Sequence, residues 1–180
     1  DGTINSVASA LIGTDKTLGL LPGGSGNGLV RNLNIPISWR RAMDVLISGQ
    51  DTYIDAGKIN DKYFFNIAGI GLDGLVAKKF NLESNKARGI APYIYYAFRG
   101  YFEMPTFRVQ IKLEDTIFQD EIMIIAFANF KEYGGNVVIA PFASPYDKQL
   151  DICIINKFKL IKESLNLKNL ITGNIHKFPF

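Results

Sequence analysis

Two short stretches carry the residue types that phosphate chemistry needs. Asp1-Gly2-Thr3-Ile4-Asn5 stands at the mouth of a predicted helix. Pro22-Gly23-Gly24-Ser25-Gly26-Asn27-Gly28 stands between a predicted strand and a predicted helix. The first N–H groups of a helix have no partner within it and lie at the positive end of its dipole, so they favour anions. Glycine lets the backbone approach a phosphate closely and take positive φ. Thr3, Asn5, Ser25 and Asn27 add short hydrogen-bonding side chains. Asp1 adds a carboxylate able to hold Mg²⁺ or to accept a proton from a hydroxyl. A glycine-rich turn after a strand is also ordinary punctuation. Two loops of this composition, each opening a helix, favour phosphate binding over punctuation. The second loop is not a Walker A, because no Gly-Lys-Ser/Thr closes it, and Gly-x-Gly-x-x-Gly is absent too.

The elements that hold these loops follow from periodicity. Apolar residues at Ile4, Val7, Ala8, Leu11 and Ile12 predict a helix over 3–12, with Thr3 as N-cap and Gly13 in the left-handed position that ends it. Thr17 to Leu21 reads as a buried strand stopped by Pro22. Leu29 to Leu33 is amphipathic, and Ser38 opens a further helix to about Ile47, ended at Gly49. Helix, strand, loop and helix in this order are the tail of an α/β unit with a parallel sheet. The pattern changes near residue 51. Thr52 to Ile59 and Tyr63 to Ile67 read as strands around an Asn60-Asp61-Lys62 turn. Helices are expected over 72–80 and 90–102, strands over 106–113, 116–129, 136–139 and 150–156, and a last helix over 161–172. The expected fold class is the C-terminal part of an α/β nucleotide-binding domain, residues 1–50, followed by an antiparallel β-sandwich-like domain, residues 51–180.

Composition narrows the function. Hydrophobic residues make up 47% and charged residues 21% of the 180, which suits a globular chain and excludes a disordered one. A formal charge of +3 without a basic run gives no footprint for nucleic acid. Cys153 is the single cysteine, so no internal disulfide forms, and its apolar strand marks it as a structural thiol. No stretch approaches the roughly 18 to 20 apolar residues of a membrane-spanning helix. The opening Asp-Gly-Thr reads as the continuation of a longer chain, and a cytoplasmic location is expected.

At these motifs the chain resembles the diacylglycerol and sphingoid-base kinases. Asp1-Gly2-Thr3 is similar to the end of their Gly-Gly-Asp-Gly-Thr signature, and Leu21 to Leu29 to their second nucleotide loop. The Gly-Ser-Gly-Asn form of that loop is closer to the sphingoid-base branch. Phe65-Asn66-Ile67-Ala68-Gly69-Ile70-Gly71-Leu72-Asp73 resembles the Asn-x-x-Gly-x-Gly-x-Asp stretch that opens the second domain. Asn129, Gly134-Gly135, Ala140-Pro141, Ala143 and Asp147 resemble later parts of the pattern, as do Leu150-Asp151 and Gly173-Asn174-Ile175-His176. The resemblance implies an ATP-dependent lipid kinase with Asp1 as catalytic residue. It implies that Gly2, Thr3, Ile4 and Asn5 line the ATP phosphates, with Gly24, Ser25, Gly26 and Asn27 from the second loop. It implies a structural Mg²⁺ at Asp147, completed by the carbonyls of Pro145 and Gln149. Here Lys148 follows Asp147 where the family commonly has glycine, and that ammonium weakens the case for a cation. The resemblance implies a general base in an Asp-Gly-Glu segment, which would lie beyond Phe180. Expected partners are ATP and the lipid, with peripheral membrane contact and a homodimer left open. NAD kinase shares the first signature but not the second loop, and a non-catalytic binder of the same fold is the remaining alternative.

Other candidates have ordinary readings beside the functional one. Asp73 suits a helix cap as well as a cleft residue. His176 lacks a partner in the sequence and reads as structural. The aromatic run Tyr93 to Phe102 suits packing on the β-rich part over an acyl-chain pocket. Lys78, Lys79, Lys86 and Arg88 read as a solvated face.

Overall fold

The computed structural model describes residues 2–24, 26–72, 74–76, 78, 91–103, 105–113 and 116–156. Asp1, Ser25, Asp73, the expected helix over 161–172 and the Gly173–His176 motif lie outside the described residues. Helix α1 spans Gly2–Leu11. Its residues Ile4 and Ala8, one turn apart, pack on the core, and Gly13 ends it at φ 78°. Because the helix already starts at Gly2, Thr3 sits inside the first turn and is not the N-cap.

Residues 17–21 are a correction. They carry the in–out alternation of an extended chain, with Leu20 buried, Leu18 half-buried and Leu21 exposed. They make no ladder, because no strand among the described residues lies beside them. A strand is defined by its partner's hydrogen bonds as much as by its own apolar pattern. No parallel pairing occurs among the described residues.

Helix α2, Gly28–Asn32, follows the glycine loop, and α3, Trp39–Ser48, follows a loop through Pro36. Ser38 occupies the N-cap position of α3 as expected, although its side chain makes no cap bond. Strands β1, Gly57–Ile59, and β2, Lys62–Phe64, form a hairpin whose turn places Asn60 at φ 52°. Both are shorter than the apolar pattern predicts. Strand β3, Ile67–Gly71, is followed by helix α4, Ala91–Glu103. Then come β4, Phe107–Leu113, β5, Thr116–Ile122, β6, Ile124–Ala128, and β7, Asp151–Ile155.

The expected long strand over 116–129 is split at Met123. β5 pairs only with β4, whereas β6 is the central strand of the antiparallel sheet β3-β6-β7. Met123 sits at the handover: its N–H donates to the Ile155 carbonyl and its carbonyl accepts the Leu72 N–H. The expected strand over 136–139 is instead a turn, with one bridge between Glu132 and Val138. Cys153 on β7 donates its thiol to the Ile139 carbonyl at 3.5 Å. Burial first, then the Asp151 charge, pushes that thiol up to about 11, so it stays protonated near neutral pH, as a structural thiol should.

One cluster joins the two halves of the chain. Leu20, Leu29 and Val30 from the first half pack with Phe65 and Phe130 from the second, with Ile4, Leu18 and Tyr63 at its edge. Asn129 lies fully buried beside it. Its side-chain amide donates to the Asp55 carbonyl at 2.7 Å and the Phe65 carbonyl at 3.1 Å. Removing that donor takes this partner from the buried Phe65 carbonyl and the part-buried Asp55 carbonyl, at about 1–3 kcal/mol for a lost buried hydrogen bond. Asn129→Ala should therefore lower the unfolding free energy by about 2–3 kcal/mol in a urea titration. A change below about 0.5 kcal/mol, the level typical of surface sites, would contradict this packing.

Candidate functional site

The site begins at the first turn of α1. The backbone N–H groups of Gly2 to Asn5 belong to the turn that has no partner within the helix. A side chain built on Gly2 would meet nothing within 4 Å, so an incoming anion has room there. Thr3 is exposed. Ile4 sends its side chain into the core and leaves only its peptide for a ligand. Asn5 donates its amide to the Tyr63 carbonyl at 3.2 Å and so ties α1 to β2.

The second loop is shaped from inside and from outside. Inside, the Gly24 N–H donates to the Asn27 side-chain oxygen at 2.8 Å. Asn27 itself stands in the left-handed region, at φ 48° and ψ 39°, which asparagine tolerates better than most residues. Asn27 therefore turns its acceptor into the loop, and its structural task is to hold the turn that starts α2. Around Gly23 a side chain would meet nothing within 4 Å, so this side of the loop is open as well.

Outside, the loop is clamped by the turn between β6 and β7. The Gly135 N–H donates to the Gly26 carbonyl at 3.3 Å. Gly28 lies against that turn: a Cβ there would fall 2.1 Å from the Tyr133 carbonyl oxygen. Gly134, at φ 133°, would place a Cβ only 3.0 Å from the Gly26 carbonyl oxygen. Glycine is required at both positions by close backbone approach. Two asparagines complete the clamp. Asn32 on α2 donates to the Asn66 side-chain oxygen at 3.0 Å and to the Glu132 carbonyl at 2.8 Å. Asn66 donates to the same carbonyl at 3.2 Å. Asn66 is the asparagine of the Asn-x-x-Gly-x-Gly-x-Asp stretch, with no role read for it in the sequence, and Asn32 is a functional candidate that motif reading does not reach. The signal for Asn32 is weak: a poor helix former within a short helix.

Asp147 lies in an exposed turn and makes none of these contacts. Its carboxylate accepts the Gln149 N–H at 3.0 Å, and Pro145 gives its carbonyl to the Asp55 N–H at 2.7 Å. The Asp55 carboxylate accepts the Lys148 N–H at 2.6 Å. The donors here are all oxygens, the class that suits Mg²⁺. Among the described residues no group of three His, Cys, Asp or Glu gathers to hold a metal, so a cation here would lean on main-chain carbonyls. A groove of about 740 Å³ runs beside the clamp, lined by Arg31, Asn34, Phe130, Glu132, Asn136 and Phe142 among others. Arg31 Nε and Glu132 Oε1 are buried without a protein hydrogen-bond partner among the described residues.

Residues 1–59 match the family described as the diacylglycerol kinase catalytic domain, and residues 66–179 match the YegS C-terminal NAD kinase beta sandwich-like domain. The second match alone spans more than half of the 180 residues. The chain belongs to the diacylglycerol kinase family of lipid kinases. It is 34% identical over 166 residues to the diacylglycerol kinase of Bacillus subtilis, covering 89% of this chain and 54% of that protein. It is 30% identical over 165 residues to a diacylglycerol kinase of Staphylococcus epidermidis, covering 89% of this chain and 51% of the relative. The chain thus spans about half the length of the curated relatives it matches. A crystal structure of a diacylglycerol kinase from Bacillus anthracis superposes with a TM-score of 0.69 at 22% identity, over 98% of this chain and 57% of that one. At that identity the likeness is one of fold. The fold class is thereby established as α/β followed by an antiparallel β-sandwich-like domain, as the sequence implies. No helix among the described residues is long and apolar enough to cross a membrane.

Among the family's motif positions, the structure brings Gly26 and Gly28 against Tyr133, Gly134 and Gly135, and leaves Asp147 in a separate turn. Asn27→Ala should cost about 1–2 kcal/mol of stability, because it forfeits the Gly24 bond and strains the left-handed backbone. Asn27→Gly loses the bond without the strain and should recover about half of that loss. Chemical denaturation of both variants tests the point: equal losses would mean the backbone conformation carries no cost.

Proposed function

We propose that this chain forms the nucleotide-facing and lipid-facing part of an ATP-dependent kinase. The kinase transfers the γ-phosphoryl group of ATP to a lipid hydroxyl, of diacylglycerol or a sphingoid base. The observation that carries the reading is the clamp. A glycine loop with an open flank is held in shape by the β-rich half, as a rigid phosphate cradle requires. The first turn of α1, with open space at Gly2, is the second half of the cradle. The loop stands where the α/β part, expected over residues 1–50, meets the β-rich part, expected over 51–180.

Phosphoryl transfer depends mostly on positioning and on stabilising negative charge. The N–H groups of Gly2 to Asn5 bind phosphate oxygens, and those of Ser25 to Asn27 do the same from the second loop, which the Gly24 N–H holds in shape through Asn27. Ser25 adds a hydroxyl donor. The Asp1 carboxylate, just ahead of α1 in the sequence, would hold the cation that accompanies ATP or take the proton released by the attacking hydroxyl. The hydroxyl oxygen forms its bond to the γ-phosphorus as the bond to the β-phosphate oxygen breaks, and ADP leaves. Asp147, with the Pro145 and Gln149 carbonyls, would hold a structural Mg²⁺ whose charge stiffens that turn. The lipid approaches from the β-rich half, which entails peripheral contact with a membrane at a cytoplasmic face.

Phosphate transfer from labelled ATP by the full-length protein, with diacylglycerol, sphingosine and NAD in parallel, tests the reading. Label in either lipid supports it and chooses the branch. Label only in NAD, or nucleotide binding without transfer to any acceptor, contradicts it. In the same assay Asp1→Asn should reduce turnover by about 100-fold or more, a loss typical of a catalytic carboxylate, with the melting temperature nearly unchanged. An Asp1→Asn enzyme with wild-type turnover would remove Asp1 from the mechanism.

A further inference from the structure

We propose that Asn66 is a positioning residue for the nucleotide: it sets the glycine loop from the β-rich side and thereby controls affinity for ATP. The inference rests on the kinase reading above and deepens it.

Asn66 stands where β2 hands over to β3, far in sequence from the loop. Its side chain nevertheless meets both halves of the clamp. Its oxygen accepts from Asn32, four residues after the start of α2, at 3.0 Å. Its nitrogen donates to the Glu132 carbonyl at 3.2 Å and faces the Tyr133 carbonyl at 3.5 Å. The orientation of both amides is forced by their partners. A backbone carbonyl only accepts, so each asparagine must point its nitrogen at Glu132 O. The Glu132 N–H faces the Asn32 oxygen at 3.4 Å, consistent with that assignment. The main chain of Asn66 is fixed as well, since its carbonyl accepts the Asn129 N–H at 2.9 Å.

This geometry reaches the phosphate-facing backbone by contact. A Cβ on Gly28 would lie 2.9 Å from the Asn66 nitrogen, so that amide touches the peptide where the loop becomes α2. The next turn, Gly134-Gly135, grips Gly26 through its carbonyl. If Asn66 loses its donor, the Glu132 and Tyr133 carbonyls lose their common partner. The turn that grips Gly26 is then free to shift. A shift of about 1 Å in groups that hold a substrate is enough to cost one to two orders of magnitude.

The test is Asn66→Asp in the full-length protein, an isosteric change that leaves no cavity but turns a second oxygen toward the two carbonyls. The KM for ATP should rise about tenfold, while kcat and the KM for lipid stay within about twofold, because the lipid contacts are untouched. Ile122→Val, a fully buried change on β5, is the control for general loosening: it should lower the melting temperature and leave the KM for ATP alone. If Asn66→Asp fails to fold, Asn32→Asp removes the donor from the other side of the same pair and should raise the KM for ATP alike. An ATP KM within twofold of wild type in the folded variant overturns the proposal. So does an equal rise in Ile122→Val, which would make the effect one of stability. A wild-type enzyme that transfers nothing from ATP sinks the kinase reading itself, whereas an active wild type with an indifferent Asn66 variant sinks only this inference.

Discussion

Backbone contact between the glycine loop and the Tyr133–Gly135 turn is the constraint from which the rest of the site follows. The Gly26 carbonyl is taken by the Gly135 N–H, and Gly28 sits too close to the Tyr133 carbonyl for any side chain. Such contact requires the two halves of the chain to be docked before the loop has its shape. The docking force is apolar: Leu20, Leu29 and Val30 meet Phe65 and Phe130 in one buried cluster. The polar pair Asn32 and Asn66 then fixes direction, which apolar packing alone does not. Asn27 closes the loop locally through Gly24. A loop held this way has its remaining donors oriented in advance, which is what an anion site of the proposed kind requires.

The same constraint explains what the sequence makes legible. Local features come through: α1, α3, the hairpin turn at Asn60 and the left-handed Gly13 follow from spacing and residue type. Features that depend on a distant partner do not. Leu18 and Leu20 carry the alternation of a strand, yet no strand lies beside them among the described residues. The apolar run over 116–129 gives no hint of the break at Met123, because the change of pairing partner there is a tertiary event. Thr3 looks like a cap until the helix is seen to start one residue earlier. At the site, the glycines are readable because close approach admits only glycine. Asn32 is not, because its meaning lies in Glu132, a hundred residues away. Ile4 carries two tasks at once, with its side chain in the core and its peptide in the first turn.

Membership of the diacylglycerol kinase family accounts for the division of labour along the chain. The α/β part supplies helix starts and glycine, the groups that suit a polyphosphate. The β-rich part supplies the turn that holds them. Asp147 accepts the Gln149 N–H while its neighbour Lys148 donates its N–H to Asp55, so a cation there would act on the rigidity of that turn.

Amide hydrogen exchange with and without a non-hydrolysable ATP analogue and Mg²⁺ tests the location of the nucleotide most directly. The account predicts slower exchange at Gly2 to Asn5 and Gly23 to Gly28 in the nucleotide complex, with a smaller change at Tyr133 to Gly135 through the clamp. Protection confined to other segments, or nucleotide binding that leaves both glycine segments unchanged, would contradict it.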